Sequence, residues 1–151
     1  MSKVVGVLLA AIACAGQAAA APPDAATMSI AQEADLVWNE AAPGIKIAVA
    51  YGNPAQPGLY IVRVRFAPGT MSQPHFHPEA RYIAVLKGTW WVGAGPQWDR
   101  DATTPVPAGG FVVHHPNKIH YDGAKTEEVT LQISGIGPSA TRMVDEAGQP
   151  K

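Results

Sequence analysis

The five histidines of the chain fall into two groups, one at His75 and His77 and the other at His114, His115 and His120. Side chains along a β-strand alternate between its faces, so residues two apart project from the same face, about 7 Å from each other. Imidazole nitrogens are common ligands of divalent metals. The spacing of His75 and His77 therefore predicts one half of a metal site, and the second group offers the other half.

The first twenty residues have the composition of an export signal. Lys3 is followed by an apolar run over residues 4–13, and small alanines fill positions 18–20. Such a run is about half of the roughly twenty residues that cross a bilayer. We expect cleavage after Ala20 and an exported protein, periplasmic or extracellular, with no membrane contact once the signal is removed. The alternative is a lipoprotein acylated at Cys14.

Cys14 is the only cysteine of the chain. If it leaves with the signal, the mature protein has no disulfide, no thiolate ligand and no cysteine nucleophile. Any metal must then be held by nitrogen and oxygen atoms.

Length and composition predict a single domain made of short strands. The 151 residues, 47% of them hydrophobic, can form one core;. The 15 glycines and 14 prolines separate runs rich in β-branched and aromatic residues, which is the pattern of an all-β protein;. A formal net charge of −1, with no block of like charges, argues against nucleic acid as a partner;.

Alternation of apolar and polar residues sets the limits of the domain. We predict a signal peptide at residues 1–20, a flexible leader with a short helix at residues 21–35, a domain at residues 36–138 and a polar tail at residues 139–151. The predicted strands are residues 36–39, 45–51, 59–66, 82–86, 89–92, 111–115 and 128–136, and a return strand begins at residue 120. The proline-containing stretch 93–107 is interpreted as a loop.

Residues 69–88 resemble the first motif of the cupin superfamily. That motif is a glycine, five residues, His-x-His, three or four residues, a glutamate, six residues and a second glycine. The matching residues are Gly69, His75, His77 and Gly88. The second cupin motif, a glycine, five residues, a proline and a histidine shortly after, is similar to Gly110, Pro116 and His120.

The resemblance implies an antiparallel jelly roll, or double-stranded β-helix, whose motif histidines converge on a divalent metal in the mouth of the barrel. It names His75, His77 and His120 as the ligands. Iron, zinc, manganese, copper and nickel all accept such donors. Self-association is also implied, as a homodimer formed through outer strands, where Tyr82 and Leu86 supply a second apolar face.

Arg81 stands where the first motif has its glutamate ligand, and a guanidinium has no lone pair to offer a metal;. Three arrangements remain open. Glu79 could reach the metal, His114 or His115 could add a fourth nitrogen, or three histidines could leave positions free for water or substrate. Neighbours on a strand face opposite ways, so at most one of His114 and His115 points inward.

Arg81 and Trp91 are the predicted substrate-binding residues. Arg81 either pairs with Glu79 at the mouth of the barrel, or points inward and binds a carboxylate of the ligand through two hydrogen bonds. Trp91 is expected to line an apolar pocket. We expect a metal-dependent protein that acts on a small organic molecule by oxygenation or isomerisation. The alternative is a non-enzymatic module that binds a small molecule or a metal.

Overall fold

The computed structural model describes residues 24–151. The predicted signal peptide, its cleavage point after Ala20, Cys14 and the first residues of the leader lie outside the described residues, so export stays a prediction. No helix within residues 24–151 is long and apolar enough to cross a membrane.

The described chain is made of β-strands apart from one short 3-10 helix, Glu33–Asp35, within the predicted leader. The strands are β1 (Asn39–Ala42), β2 (Ile45–Tyr51), β3 (Gly58–Phe66), β4 (His75–Phe76), β5 (Arg81–Lys87), β6 (Thr89–Ala94), β7 (Thr104–Pro107), β8 (Phe111–His114), β9 (His120–Gly123), β10 (Val129–Gly137) and β11 (Arg142–Met143). This composition confirms the predicted all-β class.

The strands pair antiparallel in two sheets, a six-stranded sheet in the order β1-β2-β3-β10-β5-β8 and a five-stranded sheet in the order β11-β4-β9-β6-β7. Strands that are distant in sequence lie side by side, since β3 pairs with β10, and β10 with β5. Crossovers of this kind, which place neighbouring strands in different sheets, are those of the jelly roll that the resemblance implies.

The core lies between the inner faces of the sheets, and β3 shows how the sequence builds it. Val62, Val64 and Phe66 are buried, whereas Arg63 and Arg65 between them lie on the outer face and are half-buried. Full burial of one such apolar side chain contributes about 1.5–3 kcal/mol. Alternation along this strand therefore both fixes its register and forms one wall of the barrel.

Residues 93–107 are not a loop throughout, contrary to the sequence-based interpretation. β6 continues to Ala94, and β7 pairs with it so that Pro105 lies opposite Trp91 and Pro107 opposite Thr89. β7 is the edge strand of its sheet. At an edge the missing N–H of proline removes no ladder bond, so prolines that suggest a loop are compatible with this strand.

Residues 139–151 differ from the expected polar tail because part of the segment packs on the barrel. β11 pairs with β4, Arg142 opposite Phe76 and Met143 opposite His75, and Val144 is buried. With so few apolar residues, the segment shows no periodicity from which a strand could be predicted.

The outer face of β5 carries apolar side chains, as the sequence indicates. Tyr82 and Leu86 are 49% and 42% exposed, whereas Ile83 and Val85 on the inner face are buried. The homodimer expected through this face stays a prediction.

Candidate metal centre

Three histidines meet where β4 and β9 run side by side. His75 lies directly opposite His120, and His77 follows immediately after β4. The ring centroid of His75 is 4.9 Å from that of His77 and 4.4 Å from that of His120, and the His77 and His120 centroids are 5.1 Å apart. One nitrogen from each ring lies within 4.8 Å of the other two, and all three side chains are buried. The structure thus brings together the three predicted metal ligands.

Backbone carbonyls fix the tautomer of each of these rings. The acceptors of the three Nδ1 atoms are the carbonyl oxygens of Gln73 for His75, Ala140 for His77 and Lys118 for His120, at 2.8, 2.9 and 2.9 Å. A carbonyl oxygen only accepts, so Nδ1 carries the proton and donates it. Each neutral ring then keeps its lone pair on Nε2, which is the state in which histidine binds a metal.

Burial keeps the His77 and His120 rings neutral. It lowers the pKa of His77 to about 2, with the positive charge of Arg81 as the second cause. Burial also lowers the pKa of His120 to about 4, helped by the neighbouring His75 ring. Without burial, a histidine would take up a proton on Nε2 at a pH below its usual pKa, and it would then lose the lone pair that a metal needs.

His75 and His77 line a cavity of about 530 Å³ between the two sheets. Its walls combine apolar side chains with a few polar groups, an arrangement typical of sites for small organic molecules. The polar side chains that line it include His75, His77, Arg81, His114 and Asp122, and the apolar ones include Ile47, Phe66, Ile83, Trp90, Leu131 and Ile133.

The donor set fits a divalent metal ion. Nε2 of His120 is buried and has no hydrogen-bond partner among residues 24–151. Leaving such an atom unpaired costs about 1–3 kcal/mol, which coordination would offset. Two nitrogens that each lie about 2.0–2.1 Å from one ion are at most about 4.2 Å apart, so a small inward rotation of the rings would bring all three into range.

A match to a family model identifies the protein family of the chain. Residues 26–140 match the ChrR cupin-like domain. The chain belongs to the ChrR cupin-like family. Membership confirms the resemblance seen in the two histidine motifs. No curated protein sequence matches this cupin significantly.

Solved structures share its fold. The polyketide cyclase RemF from Streptomyces resistomycificus superposes with a TM-score of 0.66 at 16% identity, over 78% of this cupin and 85% of that chain. KdgF from Halomonas sp. gives 0.58 at 18% identity, over 73% and 94%. A mutant salicylate 1,2-dioxygenase from Pseudoaminobacter salicylatoxidans, in complex with gentisate, gives 0.55 at 20% identity, over 68% and 30%. At these identities the likeness shows the fold alone.

His114 and His115 of the cupin face opposite ways, as neighbours on a strand must. His115 is exposed, whereas His114 lines the cavity with its ring centroid 3.7 Å from that of His120. Burial, together with the charge of His120, lowers the pKa of His114 to about 2. Its Nδ1 is buried without a partner among the described residues. His114 therefore places a neutral imidazole with an unpaired nitrogen beside His120.

Glu79 does not join the cluster of possible ligand atoms in residues 24–151. Its Oε1 accepts hydrogen bonds from the Ser139 hydroxyl at 2.6 Å, the Ala140 N–H at 3.2 Å and Arg81 Nη2 at 3.4 Å. The carboxylate thus ties β5 to the C-terminal segment, which explains why it does not reach the histidines.

Arg81 combines the two roles that the sequence left open. It lines the cavity, and its charge lowers the pKa of His77, so it faces the histidines. Its Nη2 also donates to the Ser139 hydroxyl at 2.6 Å and to Glu79. Nε of the same guanidinium is buried and unpaired among the described residues. Arg81 therefore presents a fixed positive charge whose Nε still has no hydrogen-bond partner in this part of the chain.

Trp91 does not line the cavity, in contrast to the prediction, and its neighbour Trp90 does. The two alternate along β6, so only one of them can face inward. Trp90 is buried, whereas the Trp91 ring lies on the other face under the Lys125 ammonium, 3.9 Å from the ring centroid. The tryptophan that lines the site is therefore Trp90.

Sequence reasoning missed Asp122, which lines the cavity and is buried. It follows His120 by two residues on β9 and so shares its face;. Trp90 Nε1 donates to Asp122 Oδ1 at 3.2 Å. The sequence does contain a signal for Asp122. His120 and Asp122 are two residues apart, like His75 and His77, so they are expected to project from the same face of a strand.

Proposed function

We propose that this cupin, after export, binds a divalent metal through His75, His77 and His120 and acts on a small organic carboxylate by oxygenation or isomerisation. The observation that carries the proposal is the convergence of one ring nitrogen from each of three buried histidines beside a cavity that also contains a fixed cation. When bound, the metal would act as a Lewis acid that polarises an oxygen of the substrate.

Arg81 would orient the substrate. Its guanidinium is held by Ser139 and Glu79, and the unpaired Nε leaves a donor for a carboxylate oxygen. Charge-assisted hydrogen bonds of this kind are about twice as strong as neutral ones. A carboxylate placed there would also separate the positive charge of Arg81 from that of the metal.

The apolar walls would bind the remainder of the substrate and exclude water. Phe66, Ile83 and Trp90 line the cavity, and their side chains are buried. Removing water strengthens the interaction between Arg81 and an anion, because the local dielectric falls. Two cupins of similar fold are named as a dioxygenase and a polyketide cyclase, which supports a catalytic role for such a cavity.

Metal analysis of the purified protein tests the centre. We expect about one divalent ion per chain, and we expect His75→Ala and His120→Ala to lose it because each removes one of three ligands. His115→Ala is the matched control, since His115 is exposed. Equal metal content in all four proteins would show that the assigned site is wrong.

Turnover separates catalysis from binding alone. The metal-loaded protein is incubated with small aromatic and aliphatic carboxylates while dioxygen uptake and product masses are followed. Dioxygen uptake with an added oxygen mass supports oxygenation, and a product of unchanged mass without uptake supports isomerisation. Bound carboxylate without either product supports the non-enzymatic module.

A further inference from the structure

A buried carboxylate lies beside the three histidines. β9 carries Asp122 two residues after His120, so both side chains lie on the same face of the strand, and Asp122 lines the cavity;. Asp122 is 6% exposed. This inference rests on the proposed metal centre and concerns its missing acidic ligand.

The two carboxylate oxygens of Asp122 have different surroundings. Oδ1 accepts a hydrogen bond from Trp90 Nε1 at 3.2 Å, which holds the carboxylate plane. Oδ2 lies 4.0 Å from Nε2 of His120, too far for a hydrogen bond;. Within residues 24–151, no lysine or arginine forms an ion pair with Asp122. No lysine or arginine of these residues therefore neutralises the carboxylate by direct contact.

The charge of a carboxylate is costly to bury. An ionised carboxylate loses several kcal/mol of hydration on transfer to the interior unless a partner compensates. A divalent cation next to Oδ2 would supply the partner.

The distances allow Asp122 and His120 to share one ion. A nitrogen at about 2.0–2.1 Å and an oxygen at about 2.0–2.2 Å from the same metal are between about 3 and 4.3 Å apart, depending on the angle. The observed 4.0 Å between His120 Nε2 and Asp122 Oδ2 falls in this interval. Ligand atoms of His114, His120 and Asp122 also lie within 4.8 Å of one another, and this second group shares His120 with the three-histidine group.

We propose that Asp122 is the carboxylate ligand of the metal centre, which then consists of His75, His77, His120 and Asp122. The acidic ligand would come from β9 and not from the start of β5, where Arg81 stands. Arg81 is thereby free to bind a substrate anion without depriving the metal of its negative ligand.

Asp122→Asn tests this assignment with Co²⁺ as the probe. The amide oxygen can still accept from Trp90 Nε1, so the fold is retained, but the negative ligand is lost. We expect the Kd for Co²⁺ to rise at least tenfold and the visible absorption spectrum of the bound ion to change. The metal-free variant should melt at the same temperature as the parent or higher, because a buried charge is gone, while the Tm gain on adding Co²⁺ should shrink.

Glu128→Gln is the comparison variant, because it also removes one carboxylate charge, but Glu128 pairs with Lys87 at the surface and belongs to neither group of possible ligand atoms. It should keep the parent Kd for Co²⁺. Parent-like affinity and spectrum in Asp122→Asn, with binding lost in His75→Ala, would overturn the role of Asp122 and leave the three-histidine centre standing. An equal loss in Glu128→Gln would overturn it as well, by showing a general charge effect. A parent that binds no Co²⁺ would remove the centre itself.

Discussion

Arg81 shows how one side chain can change the chemistry that a motif carries. In place of a metal-binding carboxylate, it brings a positive charge that lowers the pKa of His77 and is held by Ser139 and Glu79. A cation and a metal ion in one cavity repel each other unless an anion lies between them. Metal and carboxylate should therefore bind cooperatively, each tightening the other by the same factor.

Replacing Arg81 by glutamine should weaken carboxylate binding about 10- to 100-fold, the amount expected when one or two charge-assisted hydrogen bonds are lost. The coupling between carboxylate and metal should disappear at the same time, because its electrostatic origin is removed. Calorimetric titrations of benzoate, with and without Zn²⁺, measure both effects.

The control for this experiment is Arg65→Gln, since Arg65 lies on the outer face of β3 and pairs with Glu33. It should bind benzoate like the parent. Unchanged benzoate affinity in Arg81→Gln would show that Arg81 serves only to join β5 to Ser139.

Spacing predicted the pairing of His75 with His77, and the resemblance to the second cupin motif added His120. Neither could reveal contacts made across the fold. The hydrogen bonds that orient these histidines come from carbonyls, which every residue has, so no sequence signal marks Gln73 or Ala140. The prediction of Trp91 in place of Trp90 was wrong because the sequence does not show on which side of β6 the second sheet packs.

Elements were predictable where apolar periodicity was strong. β2 and β3 were found nearly to the residue, because β-branched residues alternate along them;. β7 contains two prolines and β11 only two residues, so neither has a period to detect;. β11 nevertheless matters to the site, since the segment that leads into it supplies the carbonyl of Ala140 that holds His77.

Val144→Ala tests the contribution of the β11 segment. Val144 is 3% exposed, and removing two buried methyl groups should lower the free energy of unfolding by about 1.5–3 kcal/mol;. The Zn²⁺ affinity should also fall severalfold, because a loosened segment no longer fixes the Ala140 carbonyl against His77. Urea unfolding and Zn²⁺ titration measure the two quantities.

Ile136→Ala provides the matched comparison on β10. Ile136 is 60% exposed, so its truncation should cost less than about 0.5 kcal/mol and leave Zn²⁺ affinity unchanged;. If Val144→Ala lowered stability and left Zn²⁺ affinity at the parent value, the segment would be a structural brace without influence on His77.

The whole molecule should be sensitive to acid because it buries neutral histidines. The pKa values of His77 and His114 are about 2, and that of His120 is about 4, all below the 6.5 of an unfolded chain. At pH values between the folded-state pKa of each histidine and 6.5, the unfolded state binds more protons than the folded state. The contribution of these histidines to the free energy of unfolding is therefore fully present above pH 6.5 and is lost as the pH falls below that value. Asp122 acts in the opposite direction, because its raised pKa makes ionisation above about pH 3.8 unfavourable to folding;.

Metal-free protein should thus lose stability between pH 6.5 and 4.5, by about 1.4 kcal/mol per pH unit for each buried histidine. Urea unfolding at half-unit steps of pH measures the slope. His114→Asn should reduce the slope by about one proton, whereas His115→Asn should not, because His115 is exposed. A stability that is flat over this range would show that the histidines are already protonated or solvated in the folded protein.

The carbonyls that orient the three histidines also have a consequence for how the protein tolerates mutation. When a carboxylate side chain orients a metal ligand, a single substitution removes it. Here the orienting groups belong to the backbone at Gln73, Lys118 and Ala140, and a backbone carbonyl survives every change of side chain. In a deep mutational scan for metal retention, these three positions should accept many residues while their histidine partners accept almost none. Sequence variation at these positions would therefore not mean that the hydrogen bonds orienting the histidines have been lost.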